Sequence, residues 1–183
     1  IINRLIPELG YTVIAGEAKS YKTLSAIEIA YSVATGQKAF GEFVVNKLGR
    51  VLFISTEDDT RKRFINLANG KEKIHEEYKQ NIIFSKFEEK EETVWSLYKD
   101  CIERAIEKYK PVLVVLDPIS YILDFDLTDA KEMTTFNKEI KAMSNKYNTT
   151  FLLTQHLNRM HTDKRMDNVA GSAAITRNMK AII

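Results

Sequence analysis

The sequence has a single cysteine, Cys101, among 183 residues, which excludes an internal disulfide. That usage fits a reducing compartment and sets the expectation of a cytoplasmic protein. No apolar run reaches the roughly 20 residues that span a bilayer. No signal-peptide pattern opens the chain either. Excess charge of one sign is also missing. Lys and Arg number 27 against 25 Asp and Glu, a formal net charge of +2. Bulk charge therefore announces neither nucleic-acid nor membrane binding, and any such role must rest on a local patch. Repeats and low-complexity tracts are absent as well.

What is present is an ordinary globular balance, 44% hydrophobic and 28% charged residues. The length suits one domain with a sizeable core, expected over residues 1–183. Both ends look abrupt. Ile1 begins mid-phrase, and Ala181-Ile182-Ile183 reads like a strand. The expectation is a piece of a longer protein, with antiparallel strands towards its C-terminus.

Short apolar runs alternate with longer amphipathic ones. Strands are expected over 11–15, 50–56, 81–84, 112–116 and 150–154. Helices are expected over 23–35, 60–68, 93–109 and 129–147, with Pro111 ending the third. Strands that are apolar on both faces and alternate with helices imply an α/β fold, a mainly parallel sheet covered by helices. Residues 71–79 and 88–92 are charge-rich and read as solvated surface.

The first strand runs into Gly16-Glu17-Ala18-Lys19-Ser20-Tyr21-Lys22-Thr23, and a helix opens at its end. Strand, loop and helix in that order suit a phosphate cradle made of backbone N–H groups and a helix N-terminus. Lys22 would reach the outer phosphates and the Thr23 hydroxyl would bind Mg²⁺. Taken alone, the loop reads equally well as a turn that caps a helix. The fourth strand ends in Asp117, an acid where ligands bind in open α/β sheets. There a carboxylate holds Mg²⁺, or it opens a turn before Pro118. Its place after a phosphate-loop candidate favours the metal role. Glu57, just past the second strand, is the candidate base or water-positioning group. Asp58 and Asp59 are expected to cap the next helix. Gln155 and His156, ending the fifth strand, would face the same crevice, where either side chain can hydrogen-bond a γ-phosphate. The bland alternative for His156 is a satisfied strand-end histidine. His75 reads as a surface residue of a polar helix.

In that ordered series the chain resembles the RecA-like P-loop ATPases, within them the branch of RepA-type hexameric helicases and related AAA-type ATPase domains. Further matching stretches are Ala34 to Phe43, Gly49 to Asp59, Leu116-Asp117-Pro118, Gln155 to Asn158 and Gly171-Ser172. The resemblance implies a RecA-like core, ATP and Mg²⁺ as cofactors, and ATP held between neighbouring subunits of a ring or filament, the hexamer among them. It assigns Glu57 as catalytic glutamate and His156 as γ-phosphate sensor. It also implies a basic finger reaching the neighbour's site, with Lys180 nearest that place and Arg177 the close alternative. Three departures stand out. Tyr21 replaces a glycine, Gln155-His156 replaces a histidine pair, and a lysine stands where an arginine finger is usual.

Residues 158–167 after the fifth strand carry Arg159, Lys164 and Arg165. In RecA-like rings a loop in this place lines the channel and contacts single-stranded nucleic acid. The absence of Phe, Tyr or Trp there leaves a solvated loop as an equal reading. Three functions follow: a nucleic-acid motor, a regulatory ATPase that assembles without translocating, or a nucleotide-binding module without hydrolysis. For Tyr21 the expectation is a negative φ, which spares a non-glycine residue the left-handed penalty, and a ring turned out of the cradle.

Overall fold

The structure, a computed structural model, describes residues 1–56, 59–70, 80–86, 95–127 and 129–156. Five strands form one sheet: β1 (Gly10–Gly16), β2 (Val51–Ser55), β3 (Ile82–Lys86), β4 (Leu113–Asp117) and β5 (Thr150–His156). Among the described residues four helices alternate with them: α1 (Lys22–Thr35), α2 (Thr60–Asn69), α3 (Trp95–Tyr109) and α4 (Ala130–Tyr147). Each lies where hydrophobic periodicity places it. A 3₁₀ turn, Ile119–Tyr121, follows β4. The strand order is β1-β5-β4-β2-β3 and every pairing is parallel. This is the expected RecA-like P-loop architecture. The C-terminal strands expected around 181–183 lie outside the described residues.

Alternation of side chains along each strand divides the core in two. Tyr11, Val13, Leu52, Ile54, Val114, Leu116, Phe151 and Leu153 pack with α3 and α4. Ile14, Val51, Phe53, Leu113, Val115 and Leu152 pack with α1 and α2. Fully buried strands of this kind require cover on both faces, which the crossover helices supply. Helix α1 is buried nearly all round, Ala26 to Ala34 included, and is therefore apolar on most of its surface. Gly36 closes it at φ 78, a left-handed position, with its N–H on the Ser32 carbonyl.

Two helix starts behave differently. Asp129 caps α4, its Oδ1 accepting from the N–H groups of Lys131 and Glu132 at 2.9 and 3.1 Å. Asp59 was expected to cap α2, but its side chain makes no capping bond. It accepts from Arg63 Nε at 2.8 Å instead. The reason lies in its backbone: φ −93 and ψ 0 are already helical, whereas a capping side chain works from an extended residue.

Sequence patterning also gave no sign of an N-terminal strap. Ile2 bridges to Ile6 and Val45, and Ala39 bridges to Phe43. These one-residue bridges bury Ile1, Ile2 and Ile6 against the α1 side of the core.

Because all strands run the same way, Gly16, Ser55, Asp117 and His156 share one rim. Gly16 pairs with His156, and Ser55 with Asp117.

Candidate nucleotide site

Between β1 and α1 the chain turns through Glu17 to Tyr21, all exposed, with the Ser20 N–H on the Glu17 carbonyl at 3.3 Å. Lys19 and Tyr21 both have positive φ, 65 and 63, on either side of Ser20. Alternation of handedness is the backbone pattern found in anion-binding concavities. This corrects the expectation of a negative φ at Tyr21. The turn into α1 requires the left-handed conformation that glycine adopts freely, and this chain adopts it with a tyrosine, at a cost of roughly 1–2 kcal/mol. Tyr21 is 73% exposed and is one of the residues at the crevice. Gly16 is closely approached by the same loop. A Cβ there would meet Ser20 Oγ at 2.5 Å.

Lys22 opens α1 and is buried. Its Nζ donates to the Gly16 carbonyl at 3.1 Å, the Glu17 carbonyl at 2.6 Å and Ser20 Oγ at 3.4 Å. Burial pulls its pKa down, and the Asp117 carboxylate opposes that shift. The loop's own carbonyls thus hold the ammonium against the loop.

Asp117, at the end of β4, is 2% exposed. Its Oδ1 accepts from Thr23 at 3.3 Å and also from the Thr154 hydroxyl. Burial raises its pKa, opposed by those two hydrogen bonds and by the charges of Lys22 and His156. Its Oδ2 is buried and has no hydrogen-bond partner among the described residues. Leaving a carboxylate oxygen so is costly unless something else binds it.

These residues line one crevice of about 430 Å³, with Lys19, Ser20, Tyr21, Leu24, Arg63, Pro118 and His156. Strand parity decides which residues of β5 take part. Thr154 and His156 share the α1 side with Leu152, and His156 is exposed. Gln155 lies between them, fully buried and on the side of Phe151 and Leu153. The expectation that both Gln155 and His156 face the crevice is corrected for Gln155, which is not among the described residues lining it, while His156 is. Arg63 and Leu24 belong to the crevice without having been singled out by any motif. Arg63 becomes visible only once α2 is packed beside α1. Glu57, Asp58, Lys180, Arg177, Arg159, Lys164 and Arg165 lie outside the described residues.

The oxygen set suits a hydrated divalent cation. Thr23 Oγ1 keeps its lone pairs while donating to Asp117, and Oδ2 is an unused buried acceptor. No group of three or more His, Cys, Asp or Glu side chains that could hold a metal ion occurs among the described residues. One carboxylate and one hydroxyl, Asp117 and Thr23, suit Mg²⁺, which takes one or two carboxylates, waters and substrate phosphates.

The chain belongs to the AAA domain family. The family's pattern matches residues 1–161, which includes every element and every crevice residue above. It is thus a P-loop nucleotide-hydrolysing type of domain, consistent with the RecA-like fold. No curated protein matches the chain.

Proposed function

We propose that this AAA domain binds ATP with Mg²⁺ in the crevice and hydrolyses it, as the motor core of a RepA-type replicative helicase or related DNA-replication ATPase. The observation that carries this reading is the meeting of Lys22, Thr23 and Asp117 at one rim, with Asp117 Oδ2 buried and unpartnered. The N–H groups of the 16–21 loop receive phosphate oxygens. Lys22 exchanges its two carbonyl partners for the outer phosphates, which replaces neutral acceptors by charged ones. Thr23 and Asp117 hold the metal, which supplies neutralisation of the phosphate charge when bound.

Support for Glu57 comes from register. It lies two residues past Ser55, whose partner across the ladder is Asp117. In this reading Glu57 takes the proton of the attacking water. His156, on the crevice side of β5, hydrogen-bonds the γ-phosphate. A neighbouring subunit's Lys180 or Arg177 completes the site in a ring, the hexamer being the form proposed, and Arg159, Lys164 and Arg165 contact single-stranded DNA.

Single-turnover ATP hydrolysis tests the enzymatic reading. The wild type should turn over and Glu57→Gln should be slower by at least about a hundredfold. Equal, near-zero rates in both proteins would leave a binding module only. Repeating the assay with single-stranded DNA separates a nucleic-acid motor, whose rate rises, from an ATPase that assembles without translocating.

A further inference from the structure

Thr154 has no part in the roles above, yet its position is unusual. It is fully buried on β5, and its hydroxyl donates to Asp117 Oδ1. Thr23 donates to the same oxygen. Two donors therefore share Oδ1, while Oδ2 has none among the described residues. A carboxylate ending a strand can rotate about its χ2 torsion, which is broad and roughly twofold. Two hydroxyls on one oxygen remove that freedom and leave the other oxygen as the acceptor.

We propose that Thr154 is a positioning residue of the metal site: it holds the Asp117 carboxylate in one orientation for the cation. The inference rests on the ATP–Mg²⁺ reading of this crevice. Thr23 cannot do this alone. Its bond is long, at 3.3 Å, and its oxygen is itself needed at the metal. Thr154 is free of that second duty and is anchored in the ladder, where Ile14 is its partner on β1. Hydrogen-bond partners of metal ligands set ligand orientation, and their loss usually lowers metal affinity by 10–100-fold.

The test is the ratio of affinities for a fluorescent ATP analogue with Mg²⁺ and with EDTA, read in the wild type, Thr154→Val and Thr154→Ser. Electron paramagnetic resonance of Mn²⁺ added to the analogue-saturated proteins gives metal affinity directly. Valine keeps the side chain's shape and removes the hydroxyl, and serine keeps the hydroxyl and removes the methyl group. The expected result is a roughly tenfold fall in Mn²⁺ affinity and in the Mg²⁺ to EDTA ratio for Thr154→Val. Affinity in EDTA should stay unchanged, and Thr154→Ser should behave like the wild type. A Thr154→Val protein with the wild-type ratio would overturn the proposal while leaving the nucleotide reading intact. So would equal losses in Mg²⁺ and EDTA, which mark a structural role. A wild type that binds no nucleotide in either condition would overturn both.

Discussion

The two faces of the sheet are built from similar residues and do different work. On the α3–α4 side, Trp95 packs edge-on to Phe136 at 4.8 Å, and Phe125 stands 6.5 Å from Phe136. Polar contacts there join helix to helix: Trp95 Nε1 donates to Glu139 Oε2 at 2.5 Å, and Lys99 reaches Glu139 at 2.9 Å. On the α1–α2 side a comparable aromatic run links Phe53, Phe64 and Phe84, with centroids 5.4 to 5.8 Å apart. At the rim, however, that side ends in Asp117, Thr154 and His156 above Lys22 and Thr23. The lesson is one of parity. Moving one residue along β5 exchanges a crevice side chain, His156, for a core one, Gln155.

The comparison breaks most visibly in stability. Phe136→Ala should cost about 3–5 kcal/mol, read from the urea midpoint, because it removes the centre of the α3–α4 aromatic cluster. Nucleotide affinity of the folded molecule should change less than about twofold. A tenfold loss would mean that the two faces are not separable in this way.

Asp117→Asn should act in the opposite sense. Burial raises the Asp117 pKa, so the folded state binds its proton more tightly than the unfolded chain. Its contribution to stability is therefore present below the ordinary value of 3.8 and is lost as pH rises through the folded-state value. At neutral pH the charged, half-satisfied carboxylate is a burden. Asp117→Asn should raise nucleotide-free stability by about 1 kcal/mol while abolishing the Mg²⁺ dependence of nucleotide binding. Thermal unfolding across pH checks this: the gain over wild type should vanish below about pH 4.

The smallest effect is at Tyr21. Tyr21→Gly should leave nucleotide-free stability within about 1 kcal/mol, since relief of the left-handed strain offsets added freedom in the unfolded chain. Tyr21→Val, β-branched at the same φ of 63, should be clearly less stable than either. Equal melting temperatures for the three proteins would show that the loop does not hold this conformation.

Most of the fold was legible because its strands are apolar on both faces and its helices carry a 3.6-residue period. Val112 to Leu116 and the stripe of α3 leave little choice. The site was legible as residue types in order, with Lys22, Thr23 and Asp117 each at a chain position that strand ends then bring together. Three-dimensional detail was not. The φ of Tyr21 depends on how tightly the loop leaves β1, which composition does not encode. The side of the sheet that Gln155 takes depends on which residue begins the register of β5. The bond from Thr154 to Asp117 joins neighbouring strands 37 residues apart, and no local pattern marks it. Arg63 enters the crevice through the packing of α2 beside α1, again a long-range fact.

The central claim is that the rim of β1, β4 and β5 is an ATP–Mg²⁺ site. Equilibrium titration of wild type and Lys22→Ala with a fluorescent ATP analogue in Mg²⁺ tests it most directly. Saturable binding by the wild type and a loss of at least about a hundredfold in Lys22→Ala are predicted. Equal affinity in the two proteins, or no binding by a folded wild type, would contradict it.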